Sequence, residues 1–138
     1  NSSLYLNTSA DGSTYDNSSG DYRWNYNSGY STSDVTSGTG ASSAFVRRVG
    51  SDTKISLGTA IGNASSGNNY WQIRIFSASV SNVHNVKFSC SYMNNSSEPI
   101  ELDGIGSRMD AGVIKGVQLS PDSGTSTFYY TVTGKSRL

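Results

Sequence analysis

The sequence predicts an all-β domain, an antiparallel β-sandwich of jelly-roll type with about eight strands. Three observations carry this. Apolar and polar residues alternate with period 2 along most of the chain, and helical spacing is almost absent. Clusters of Gly, Asn, Asp and Ser interrupt that alternation at regular intervals, as turns do. The hydrophobic share is only 34%, yet nine Tyr, four Phe and two Trp are present. Disordered segments are poor in aromatics and high in net charge, whereas here ten basic residues balance ten acidic ones. With 138 residues there is room for one domain, read as spanning 1–138.

The elements follow in order. Leu4 and Leu6 flank Tyr5 in a first strand that ends at Ser9-Ala10-Asp11-Gly12-Ser13. Asp-Gly is a strong turn pair because Gly accepts positive φ without a Cβ clash. A strand over Asp21–Tyr26 sets Tyr22, Trp24 and Tyr26 on one face and Arg23 and Asn25 on the other. The Ser/Thr/Gly tract from Asn27 to Ser43, with only Tyr30 and Val35 as apolar anchors, reads as a long surface loop. Strands are expected over Ala44–Val49, Lys54–Ile61, Tyr70–Ser77 and Asn85–Met93, with a turn cluster at Gly62–Asn69 and a loop from Asn94 to Pro99. Val113–Leu119 and Thr127–Val132 form the last two, joined by the Pro- and Gly-containing turn Ser120–Gly124.

Charge and motif content exclude several functions. Zero net charge lacks the basic footprint of nucleic-acid binding, and Arg47–Arg48 reads as solvated positions. No apolar run approaches the roughly 18 residues of a membrane span, so no membrane insertion is expected. Cys90 shares the parity of Val86, Phe88 and Tyr92 and reads as a small buried hydrophobe. The sequons at Asn1, Asn7, Asn17, Asn63, Asn94 and Asn95 are what an Asn- and Ser-rich chain produces by chance.

Catalysis finds no support. His84, the sole histidine, sits in a predicted turn and reads as structural or surface; no G-x-S-x-G elbow is present. The carboxylates Asp11, Asp16, Asp21, Glu98, Glu101, Asp103 and Asp110 fall mostly in predicted turns, and nothing pairs them as a glycosidase requires. No His/Cys cluster, EF-hand loop or phosphate-cradling Gly loop occurs, so no catalytic residue, resident metal or cofactor is assigned. Calcium on loop carboxylates near Asp11–Asp16 or Glu101–Asp110 stays open.

The ordered motifs resemble those of bacteriophage tail-fibre and tail-associated jelly-roll domains. Ser9-Ala10-Asp11-Gly12-Ser13-Thr14-Tyr15-Asp16, followed by Asp21-Tyr22-Arg23-Trp24, resembles that family's opening turn and Y-R-W strand. Ser51–Gly62 resembles its next strand, and Trp71–Phe76 with Val86–Cys90 its central pair. Ile114-Lys115-Gly116-Val117-Gln118-Leu119, then Ser123-Gly124 and Thr127-Phe128-Tyr129-Tyr130, resembles its closing pattern. Three departures stand out. The turn has one Gly where the family has two; Val132-Thr133-Gly134 and the tail Lys135–Leu138 replace its usual ending; and the family often has strands before the first one seen here. The abrupt start at Asn1 accordingly suggests a sandwich completed by residues from elsewhere. Ser9–Tyr15 also resembles the Asp-box hairpin of sialidases, but propellers repeat it in every blade and here it occurs once, so it reads as a turn device.

What the resemblance implies is a non-enzymatic virion structural module of a tail fibre, tailspike or capsid-attached protein. Its setting would be extracellular on the virion. Its partners would be further copies of itself, commonly as trimers, other virion proteins, and a host surface glycan. The alternative is a carbohydrate-binding module of a secreted polysaccharide-degrading enzyme, since fold alone does not separate the two. Tyr22, Trp24, Tyr26, Tyr30 and Tyr129 are the glycan or receptor candidates, because aromatic faces stack on sugar rings. The competing reading makes Tyr22, Trp24 and Tyr26 an inward core stripe, leaving contact to the Asn27–Ser43 loop.

Overall fold

The computed structural model describes residues 2–30, 44–62, 69–76, 78, 81–124, 127 and 129–134. Eight strands are present: β1 (Ser2–Ser9), β2 (Tyr22–Tyr30), β3 (Ala44–Asp52), β4 (Ile55–Ile61), β5 (Tyr70–Ile75), β6 (His84–Met93), β7 (Pro99–Arg108) and β8 (Gly116–Pro121). They form a three-stranded sheet ordered β4-β1-β8 and a five-stranded sheet ordered β3-β2-β7-β6-β5, with every pairing antiparallel. The chain is therefore a β-sandwich. First pairs with last (β1–β8) and second with second-last (β2–β7), so two long hairpins nest. Beyond them β4 pairs with β1 and β5 with β6. Among the described residues no helix is long and apolar enough to cross a membrane.

Alternation decides which side of each strand is buried. Leu4 and Leu6 from β1 and Ile55 and Leu57 from β4 pack against Tyr22 and Tyr26 of β2, Val86 and Phe88 of β6, and Leu102 of β7. Cys90 is 4% exposed and donates its S–H to the Leu57 carbonyl at 3.4 Å, as its parity predicts. Burial, with a smaller push from the Asp103 charge, raises its thiol to about 12. Thiolate is the reactive species, so iodoacetamide at neutral pH should leave Cys90 unmodified in the folded protein and label it once denatured. Intact-mass spectrometry reads the difference, and labelling under native conditions would contradict the burial.

Glycines on the inner face of the large sheet make room for large side chains. Gly104 lies opposite both Phe88 and Tyr26, and a Cβ there would overlap the Phe88 ring. A Cβ on Gly106 would come within 2.7 Å of Ile55 Cδ1, and one on Gly50 within 2.5 Å of the Trp24 ring. These residues have no volume to spare, so the sheets approach closely over β7.

Two expectations about strands are corrected. Pro99–Arg108 is a full strand at the centre of the large sheet, where no strand was expected. Glu101 and Asp103 consequently stand on its exposed face rather than in turns. Conversely, Thr127 and residues 129–134 are exposed and outside any strand, so among the described residues the expected Thr127–Val132 strand is not formed. Phe128 and the tail Lys135–Leu138 lie outside the described residues. The second strand runs on to Tyr30, four residues into the expected loop; residues 31–43, the remainder of that loop, lie outside the description, as do 63–68 of the Gly62–Asn69 turn cluster.

Candidate functional site

The turn after β1 behaves as an Asp side chain between small residues should. Asp11 Oδ1 accepts the Ser13 and Thr14 backbone N–H groups, both at 2.7 Å, and the Ser9 hydroxyl at 2.8 Å. Gly12 takes φ 89°, the left-handed conformation for which Gly is suited. Those N–H groups, Thr14 first, hold the Asp11 carboxyl far below the usual carboxylate range. The motif is a turn device, and its carboxylate is already committed to the backbone.

Beside it lies a buried polar cluster at one end of the sandwich. Arg108, the last residue of β7, is fully buried among the core strands. Its Nε donates to Asp16 Oδ2 at 2.7 Å, Nη1 to the Gly112 carbonyl at 2.7 Å, and Nη2 to Asp110 Oδ2 at 2.9 Å. His84 opens β6 as Arg108's cross-strand partner and donates Nε2–H to the same Gly112 carbonyl at 2.5 Å. It is 0% exposed, so the predicted turn position is corrected to a buried strand position with a structural role. Thr8 N–H donates to the Tyr22 hydroxyl at 2.8 Å, and Asn7 Nδ2 to the Asp16 and Thr53 carbonyls. Burial raises the Tyr22 phenol above its ordinary value. These contacts tie loops 10–16 and 109–115 and the β3–β4 turn to the strands, and β1 to β2. Within this cluster Asp16 and Asp110 are taken up by Arg108, and His84 bonds the Gly112 carbonyl.

The carboxylates considered for calcium are likewise dispersed. Asp11 serves the turn, Asp16 and Asp110 serve Arg108, and Glu101 and Asp103 point off the sheet. Among the described residues no group of three or more His, Cys, Asp or Glu side chains converges.

The aromatic candidates divide. Tyr22 and Tyr26 are 0% and 1% exposed, so these two are corrected to core residues that offer no face to a ligand. The reason is parity: they share the inner face of the large sheet with Val86, Phe88 and Leu102. Trp24, half-buried, stacks on Tyr26 with centroids 5.5 Å apart and covers Gly50. Tyr30 ends β2, and its side chain lies outside the described residues. Tyr129 alone is fully accessible, at 99% exposure, beside Tyr130 and Val132, which are also exposed.

Two surfaces escaped the sequence reading. The outer face of the large sheet presents Tyr70, Gln72 and Arg74 of β5, Lys87 and Ser91 of β6, Glu101 and Asp103 of β7, and Arg23 and Asn27 of β2. A shallow hollow of about 130 Å³ there is lined by Gln72, Arg74, Lys87, Phe88 and Ser89. The second is an open cavity on the small sheet around Tyr5. Tyr70 was legible as an outward residue, since it shares the parity of Gln72 and Arg74. The Tyr5 cavity was not, because its walls come from three separated segments. Comparison with protein-family models, with curated proteins and with solved structures returned no match.

Proposed function

We propose that this chain is a non-enzymatic structural module of a bacteriophage virion, from a tail fibre, tailspike or other capsid-attached protein. It assembles with copies of itself, as a trimer, and with other virion proteins, and it meets host glycans outside the cell. The phage setting is supported by the motif resemblance spread along the chain. Assembly is supported by one observation above the others: Tyr129, Tyr130 and Val132 are 99%, 81% and 83% exposed in a segment patterned like a strand. The free edge of β8 immediately precedes that segment. An exposed strand edge and adjacent bare aromatics are what a neighbouring subunit covers.

Sedimentation equilibrium tests this. The chain should sediment as a trimer, and a Tyr129→Ser, Tyr130→Ser, Val132→Ser variant as a monomer with unchanged circular dichroism. A monomeric parent chain would sink the assembly reading. A carbohydrate-binding module of a secreted enzyme is the second reading, favoured by the amide-, hydroxyl- and charge-rich outer face of the large sheet. A monomer that binds an isolated glycan would select it.

A further inference from the structure

The open cavity of about 310 Å³ on the small sheet is lined by Tyr5, Asp52, Thr53, Lys54, Pro121 and Asp122. Its geometry follows from register. Leu4 and Leu6 point into the core, so Tyr5 between them must point outward. Its cross-strand partners are the small residues Ser56 on β4 and Ser120 on β8. The β3–β4 turn supplies one wall and the end of β8 supplies the other.

Both walls are held in place by the backbone. Asp52 Oδ1 accepts the Thr53 N–H at 2.7 Å, and Asn7 Nδ2 holds the Thr53 carbonyl at 3.0 Å. Asp122 Oδ1 accepts the Ser3 N–H at 2.9 Å and the Ser2 hydroxyl at 3.1 Å. Asp122 N–H in turn donates to the Ser3 carbonyl at 3.1 Å. The Ser3 N–H keeps the Asp122 carboxyl more acidic than usual, so it is ionised at neutral pH. Each Asp therefore spends one oxygen on the fold and has a second available as an acceptor. Lys54 Nζ lies over the Tyr5 ring, 5.2 Å from its centroid, a cation–π contact that covers one face of the ring with an ammonium donor and leaves the other face to a ligand.

We propose that this cavity binds a single uncharged sugar ring, with Tyr5 as the apolar wall, Asp52 and Asp122 accepting from hydroxyls, and Lys54 donating to one. The proposal deepens the glycan-recognition part of the reading above and relocates its site away from the buried Tyr22 and Tyr26. The volume sits at the small end of the ~300–1,000 Å³ range of ligand pockets, which suits one ring rather than an extended chain. Hydroxyls complement mixed donors and acceptors, since each can accept from the ammonium or donate to a carboxylate. An acidic sugar would face two carboxylates against one ammonium, so the lining disfavours it.

The test is a titration of the ¹⁵N-labelled full chain, followed by amide shifts. The probes are methyl β-glucopyranoside, methyl β-galactopyranoside, methyl α-mannopyranoside, sialic acid and calcium chloride. At least one neutral glycoside should shift the amides of Tyr5, Thr53, Lys54 and Asp122 together. Tyr5→Ala and Asp52→Asn should each weaken that binding at least tenfold while the remaining amide spectrum stays folded. Lys54→Ala is a further variant with little reason to unfold, and it should weaken binding as well. The proposal is overturned if no neutral glycoside moves these amides, if sialic acid alone does, if calcium alone does, or if the shifts centre on Gln72, Arg74 and Lys87. A trimer that binds no sugar removes this site and leaves the assembly reading standing. A monomer that binds sugar at Tyr5 does the reverse.

Discussion

Replacing Asp16 by alanine should cost about 3–5 kcal/mol, the range seen when one partner of a buried ion pair is removed. Arg108 is fully buried, and Asp16, itself 23% exposed, is its closest carboxylate at 2.7 Å. Without Asp16 the buried guanidinium keeps the Gly112 carbonyl but only one carboxylate, Asp110, whose side chain is 65% exposed and well hydrated. Exposed ion pairs contribute at most about 1 kcal/mol, so Asp110→Ala should fall within that limit. The two carboxylates thus predict very different losses from the same chemical change. Arg108→Met combined with Asp16→Ala should recover part of the loss, because it removes the uncompensated charge. Urea unfolding of the four proteins measures this directly. A loss under about 1 kcal/mol for Asp16→Ala would mean that Arg108 finds water there. Against a typical total stability of about 5–15 kcal/mol, the expected loss is large enough to threaten folding at physiological temperature.

The second large effect belongs to Gly104. Its φ is unremarkable; the restriction is space. A Cβ would overlap the Phe88 ring and come within 2.8 Å of Tyr26 Cβ, both on neighbouring strands of the same sheet. Overpacking a tight core costs about 1–3 kcal/mol, and Gly104→Ala should reach the upper part of that range because backbone strands flank it on both sides. Phe88→Leu in the same chain should return at least half of the loss, since it withdraws the atoms the new methyl meets. Gly29 in β2 is the control. Nothing lies within 4 Å of a Cβ built there, so Gly29→Ala should change stability by about 0.5 kcal/mol or less. Equal losses at Gly29 and Gly104 would mean that strand propensity, not packing, governs both sites.

Gly104 also explains why β7 is illegible in the sequence. Its inner face reads Ile100, Leu102, Gly104, Gly106, Arg108, so the apolar alternation stops after two residues and ends on a charge. Ile105, the next large apolar residue, falls on the outer face and is 43% exposed. Local pattern therefore suggests turns, although Phe88 and Tyr26 fill the space at Gly104 and Ile55 of the facing sheet fills it at Gly106. The opposite error occurs at Thr127–Val132. That segment has the β-branched and aromatic content of a strand, but no free sheet edge of its own sandwich takes it up. Propensity describes fitness for a half-buried pleated surface and does not supply that surface.

The functional residues divide by the same logic. Alternation alone put Tyr22, Trp24 and Tyr26 on one face and Arg23 and Asn25 on the other, and the structure keeps that division. Which face turns inward depended on a second sheet lying over it, and that sheet covers Tyr22 and Tyr26 completely. Cys90 needed no such help, because its neighbours Phe88 and Tyr92 share its parity and are buried beside it. The Tyr5 cavity joins residues near positions 5, 53 and 122, which only the β4-β1-β8 pairing brings together.

By itself, then, the sequence determined the all-β class, most strand positions, the Asp11 turn and the buried thiol, because each depends on contacts within a few residues or on period-2 parity. Tertiary structure alone decided the central place of β7, the burial of the aromatic stripe, the Arg108–Asp16 pair and the cavity at Tyr5. Those depend on which strands become neighbours, a choice set by packing between residues far apart in sequence, as Asp16 and Arg108 are at a separation of 92 and Ser2 and Asp122 at 120.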